Sequence, residues 1–380
     1  MSEPILDLDL DTLRRRTSAK WVVYEPDVIP AWVAEMDVRL AAPVRSAIGA
    51  AIDLGDTGYP RPPQYVAAFT GFAERQWGWA VPQAQTALVP DVMMGILVLL
   101  LQVTSEGDTV VIDDPVYPPF AEFPVLAGRR VLRAPMTEDG RMDPAALDAA
   151  FAEATRGGRR AAYLLCNPHN PTGSVPTLDE LTMVAATAER HGVSVISDEI
   201  HAPIVYAPHR FVPYLEVPGL RDGFAVHSAA KTFSLAGLKA GLVVAAPAGG
   251  PVLKAIAHGP NASLSGVIAQ SAAWAHGDAW AAQLVSELDA NRHRVLARLA
   301  EKVPGIRARV PDGTYLLWLD CRALGLPGDP AAYFLEHARV AMNSGPTFGP
   351  AGVGHARLNL ATSPAILDEI VDRIAASLPG

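Results

Sequence analysis

Three segments, in a fixed order along the chain, carry residues able to do chemistry together: Asn167-Pro-His-Asn170-Pro-Thr-Gly, Ser197-Asp198-Glu-Ile-His201, and Ser228-Ala-Ala-Lys231-Thr-Phe-Ser-Leu-Ala-Gly-Leu-Lys239. An amine, a carboxylate and an amide in this company suggest a site for pyridoxal phosphate (PLP). Such a site needs an amine to form a Schiff base with the cofactor aldehyde and a carboxylate to keep the pyridine nitrogen protonated. It also needs donors for the ring oxygen and the phosphate. Lys231, Asp198 and Asn170 supply the first three functions, and Ser228 and Lys239 are candidates for the phosphate. Each segment has an ordinary alternative: a Pro/Asn/Gly turn, a helix-capping Asp, a solvated surface Lys. Their order favours the site, because all three residues lie at or just beyond the ends of apolar, strand-like runs.

Those runs are the elements that must position the three groups. Thr109-Val-Val-Ile-Asp, Ala162-Tyr-Leu-Leu-Cys, Val193-Ser-Val-Ile-Ser, Phe224-Ala-Val-His and Leu242-Val-Val-Ala-Ala read as strands buried on both faces, since apolar residues run with little polar alternation. Leu178 to His191 reads as an amphipathic helix between two of them. The order predicts an α/β domain with a mostly parallel sheet and a site at strand C-termini. A long helical region from about Ser265 to Val303 leads to further strands around Thr314 to Asp320 and Arg357 to Leu360.

The chain has 380 residues, more than one hydrophobic core usually supports, so two domains are expected. Its formal net charge is −9 and no dense Lys/Arg cluster occurs, which argues against a nucleic-acid partner. Two cysteines, Cys166 and Cys321, make no disulfide framework. The acidic N-terminal stretch lacks the pattern of a signal peptide, and the longest apolar run, Val92 to Val103, is too short to span a bilayer. A cytoplasmic protein without a membrane partner is the expectation. Walker A, His-Glu-x-x-His, Cys-x-x-Cys and Gly-x-Ser-x-Gly patterns are absent, and the ten histidines have no compact metal-ligand spacing.

The sequence resembles fold-type I PLP enzymes of the class I/II aminotransferase superfamily, and within it the MalY/PatB branch of cystathionine β-lyases, or C–S lyases. The likeness runs from Trp32-Val-Ala-Glu-Met-Asp37 through Gly58-Tyr59-Pro60, Pro115-Val-Tyr117-Pro-Pro-Phe120 and the three segments above. It closes at Thr314-Tyr-Leu-Leu-Trp318-Leu-Asp and Arg357-Leu-Asn359. It implies an α/β fold: a large domain with a mostly parallel seven-stranded sheet sandwiched by helices, over residues 47–282, and a small α+β domain from 1–46 and 283–380. It also implies Lys231 as the Schiff-base lysine and base, Asp198 at the pyridine nitrogen, Asn170 at the ring oxygen and Tyr117 on the ring face. His201, three residues after Asp198, would support the residues that touch the ring, with a packed or capping histidine as the alternative, and Ser228 and Lys239 would lie near the phosphate. Val92 and Met93 would offer main-chain amides at a helix N-terminus, which favours an anion, and Asp91 beside them is a departure that is tolerable if it caps the helix. Arg357 would clamp the substrate carboxylate. Tyr59 would reach the phosphate of a neighbouring subunit, so the resemblance implies a homodimer acting on a small amino-acid substrate.

PLP chemistry permits more than one outcome from these residues. A sulfur leaving group at Cβ gives β-elimination to thiol, pyruvate and ammonia; without one, the outcome is transamination. Elimination is the expectation from the branch resemblance. A transaminase is the first alternative, and a PLP-binding regulatory protein the second.

Overall fold

The computed structural model describes residues 3–256 and 262–378. A seven-stranded sheet forms from β1 (Thr86–Val89), β2 (Thr109–Asp114), β3 (Arg130–Pro135), β4 (Ala161–Cys166), β5 (Val193–Asp198), β6 (Phe224–His227) and β7 (Gly241–Ala245). Its spatial order is β1-β7-β6-β5-β4-β2-β3, and only β7 runs antiparallel to its neighbours. In β4, Ala162, Leu164 and Cys166 enter one core while Ala161, Tyr163 and Leu165 enter another. Period-two burial on both faces explains why this strand reads as an unbroken apolar run.

Helices cover both faces. α1 (Val92–Val103) packs on one of them, close enough that a Cβ on Gly95 would meet Val226 Cγ1 at 3.0 Å and Val89 Cγ2 at 3.1 Å. α2 (Leu178–His191) covers the other; it starts at a Thr177/Glu180 capping box and stops at left-handed Gly192. The long helical region is two elements, α3 (Leu264–His276) and α4 (Asp278–Lys302). The break falls at Gly277, where a Cβ would lie 2.4 Å from the Phe233 ring, so close packing against Phe233 leaves room only for glycine.

A further core unites both ends of the chain: Leu8, Leu13 and Ile29 pack with Val295, Leu299, Leu317, Phe334, Leu358 and Ile370. Its sheet has the order β9-β10-β8, from β8 (Leu316–Asp320), β9 (Asn343–Ser344) and β10 (His355–Asn359). The expected division between residues 282 and 283 falls inside the continuous helix α4. No described helix is long and apolar enough to cross a membrane.

Candidate active site

Strand ends place the chemical groups. β5 ends on Asp198, the turn after β4 carries Asn170, β6 leads into Ser228 and Lys231, and Arg357 lies on β10 beside Asn343 of β9. These residues line one cavity of about 530 Å³ together with Val92, Met93, Tyr117, His201, Lys239 and the chain around Trp32 to Ala34.

The cavity holds an unusual concentration of buried charge. Burial pushes the Asp198 carboxyl up to about 7, opposed by its bond from the Ile200 N–H (3.0 Å) and by Lys231. Burial brings Lys231 down to about 8, Arg357 adds to that, and Asp198 opposes it. Arg357 is lowered to about 10, again by burial. Tyr117 is raised to about 12 by burial and by Asp198. His201 is held well below its ordinary range by burial and by the cations Lys231 and Arg357, so it is a neutral ring, packed edge-on against Tyr315.

Orientation follows from hydrogen bonds. Arg357 donates to Asn170 Oδ1 (2.9 Å) and to the Trp32 carbonyl (2.8 Å). With Oδ1 engaged, the amide N–H groups of Asn170, which lines the cavity, remain as its donors, and donors are what a ring oxygen requires. Lys231 Nζ donates to the Ala34 carbonyl (2.8 Å), which also accepts from Tyr315 (2.9 Å). Asn359 donates to the carbonyls of Val33 and Glu35 (2.8 and 2.7 Å), and the buried pair Lys20–Asp37 (2.7 Å) closes the segment. Residues 32–37 are therefore held by side chains from distant parts of the chain.

At the helix end, Asp91 caps α1 by accepting from Met94 N (2.8 Å) and pairs with Lys239 (2.9 Å). The first-turn amides of Val92 and Met93 have no intrahelical partner, so an anion there meets free donors beside a pair whose charges cancel. Ser228 has less to offer than the sequence reading assigns it: its one proton is engaged by the Ala240 carbonyl (2.8 Å) or Gln270 Oε1 (3.0 Å). Tyr59 does not reach this cavity within its own chain and is 93% exposed. Sequence reasoning missed Gln270, which accepts from Tyr65 (2.8 Å) and from Ala229 N (3.0 Å), as well as Asn343 and the carbonyls of Trp32 and Ala34. A main-chain acceptor and a glutamine inside a helix leave no residue-type signal.

The donor set fits PLP. A buried carboxylate with a single main-chain donor accommodates a protonated ring nitrogen, a depressed lysine stands in the same cavity, and a helix N-terminus opens into it. The Arg357 fork, fixed by Asn170 and the Trp32 carbonyl, suits a substrate carboxylate. Arg357→Ala is expected to lower kcat/KM at least about tenfold by loss of a charge-assisted bond. PLP should remain bound, so that the loss appears in turnover rather than in cofactor occupancy, and near-normal efficiency would place the clamp elsewhere.

The chain belongs to the aminotransferase class I and II family, whose model matches residues 56–374. It is 47% identical to a Mycobacterium tuberculosis protein named "Putative cystathionine beta-lyase", over 99% of this chain and 98% of that one. It is 32% identical to cystathionine β-lyase PatB of Bacillus subtilis, over 93% of each. The crystal structure of a Corynebacterium diphtheriae PLP-dependent β-cystathionase, so named with the same qualifier, superposes with a TM-score of 0.92 at 29% identity, covering 98% of this chain and 99% of that one.

Proposed function

We propose that this protein is a PLP-dependent C–S β-lyase that, with consumption of water, cleaves cystathionine or another cysteine S-conjugate to a thiol, pyruvate and ammonia. The observation that carries the reading is the meeting of Lys231, Asp198, Asn170 and Arg357 in one buried cavity, in a chain with full-length similarity to proteins named cystathionine β-lyase.

Lys231 would hold PLP, with Asp198 at the ring nitrogen, Asn170 at the ring oxygen, Tyr117 at a ring face and the α1 amides at the phosphate, while His201 lines the same cavity, packed against Tyr315. When bound, PLP supplies an electron sink for charge developing at the substrate Cα. The chain's own residues do the rest. Arg357 binds the α-carboxylate and orients the substrate. Lys231 Nζ takes the Cα proton, and its position near 8 keeps a useful neutral fraction at physiological pH. The Ala34 carbonyl gives that amine a fixed acceptor. Ile200, Phe123 and Val33 give the cavity apolar walls beside it.

The test is a product count from cystathionine or a simple cysteine S-conjugate without any 2-oxo acid. Thiol, pyruvate and ammonia should accumulate in equal amounts over many turnovers. A single turnover, rescued only by a 2-oxo acid, would make the protein a transaminase instead.

The active unit on this reading is a cytoplasmic homodimer in which the exposed Tyr59 completes the partner's site. Inactive Tyr59→Phe and Lys231→Ala proteins should regain some activity when mixed under subunit exchange, because one hybrid site carries both intact residues. No recovery despite demonstrated exchange would remove the shared site.

A further inference from the structure

Beneath the site lies a buried polar cluster that the proposed reaction does not use. Asp113, near the end of β2, accepts from the Tyr163 hydroxyl through Oδ1 (2.8 Å), while its Oδ2 has no partner. His169, in the turn after β4, contacts Thr172 Oγ1 through Nδ1 (2.9 Å), while its Nε2 has no partner. The two orphaned atoms face each other at 3.6 Å, with both side chains almost wholly buried. A void of about 10 Å³ adjoins them. That is at the lower edge of what one water needs, so the gap closes by a small approach or by a single bridging water. Two buried polar atoms left unsatisfied carry an uncompensated desolvation cost, so a linkage is favoured.

We propose that Asp113 and His169 form a hydrogen-bonded pair, Oδ2 to Nε2, that ties the loop carrying Tyr117 to the turn carrying Asn170 and so acts as a positioning device for the cofactor site. The role at the cofactor rests on the function proposed above; the pair itself does not. Asp113 stands four residues before Tyr117, and His169 immediately precedes Asn170. β2 and β4 are adjacent parallel strands, so a link between their C-terminal ends fixes the spacing of the two contacts.

Burial pushes Asp113 up to about 7 and His169 down to about 3, so the imidazole is neutral near physiological pH. Below about pH 7 the protonated Asp113 donates to Nε2 and Nδ1–H donates to Thr172. Above it the aspartate accepts from Nε2–H, and the Thr172 hydroxyl turns to donate to Nδ1. Thr172 can serve either state, because its oxygen also lies 3.2 Å from the Gly140 carbonyl and 3.0 Å from Ser174 Oγ. The ionisable groups facing the pair are Tyr163, Cys166 and, across the void, Arg141 and Glu180, which are bonded to each other. The link therefore survives the titration of its own aspartate.

Nitrogen-15 spectra of histidine-labelled holoenzyme, with His169 assigned by its loss in His169→Asn, test the pair directly. The ring should remain neutral from about pH 6 to 8, with its proton moving from Nδ1 to Nε2 as Asp113 ionises. A doubly protonated ring, or an Nε2 with no hydrogen bond at any pH, would overturn the proposal. Asp113→Asn keeps an acceptor for Tyr163 and a donor for Nε2, whereas Asp113→Leu keeps neither. PLP titration of the cofactor-free proteins should find Asp113→Asn within about threefold of wild type and Asp113→Leu weakened at least about tenfold. Equal affinities in the two variants would remove the positioning role. If Asp113→Leu does not fold, a loss above about tenfold in Asp113→Asn would do the same. Failure of wild type to bind PLP would instead refute the proposed function.

Discussion

Replacing Lys231 by alanine is expected to lower kcat/KM for β-elimination by roughly 10²–10⁴-fold or more, because a positioned proton-transfer group contributes about that much on its own. The reason for the size is structural. Lys231 is half-buried, lowered to about 8, and held by the Ala34 carbonyl at 2.8 Å, a placement that a base in solution does not reproduce. The measurement is steady-state kinetics on Lys231→Ala, joined with borohydride reduction and peptide mapping of wild type. The pyridoxyl label should sit on Lys231. Label on another lysine, or variant activity within tenfold of wild type, would displace Lys231 from its role.

Asp198→Asn should produce the second large effect. Breaking a buried charge pair costs about 3–5 kcal/mol, which corresponds to a loss of roughly 10²–10³-fold or more in kcat/KM. Without PLP the same substitution should stabilise the protein, and the sign can be worked out. The folded-state pKa of Asp198, about 7, lies above that of an unfolded aspartate, about 3.9. Between those values the folded chain binds more protons than the unfolded chain, so stability falls as pH rises and the loss is complete above about 7. Unfolding of the cofactor-free proteins should therefore give equal stabilities near pH 4 and an advantage for Asp198→Asn of up to a few kcal/mol above pH 7. Saturating PLP should shrink or reverse that advantage. An activity change below tenfold, or no pH-dependent gap between the two cofactor-free proteins, would contradict the assignment.

The two expected results share a cause. Asp198 is taken out of water, and Lys231 in part, by a fold that gives neither a full complement of partners. Such a cavity is costly while empty of charge-matched ligand and selective once filled. The same logic applies to Arg357, lowered to about 10 by burial and held by one amide and one carbonyl.

The residues themselves announced the centre of the sheet, the class of chemistry and the core of the site. β2, β4, β5, β6 and β7 are legible because both of their faces are buried, which writes an apolar run with no polar alternation. The edge strands β1 and β3 were not legible. β3 exposes Arg130 and Pro135 and only half-buries Val131 to Arg133, so its pattern resembles a polar connection. Lys231, Asp198 and Asn170 could be read from residue type and order, because few functions require an amine, a carboxylate and an amide behind successive strands.

Tertiary structure alone decided how those groups are held. The carbonyls of Trp32 and Ala34 orient Arg357 and Lys231 across about 200 residues or more of chain, and a carbonyl has no identity in a sequence. Asp91 could be suspected of capping a helix, but its pairing with Lys239 and the commitment of Ser228 to Ala240 and Gln270 required coordinates. The break between α3 and α4 depends on Phe233 filling the space beside Gly277, and the facing of Asp113 and His169 depends on β2 lying next to β4. Chemical type is a local property of the residues. Burial, partner and charge state are properties of the packing, so only the folded chain decides them.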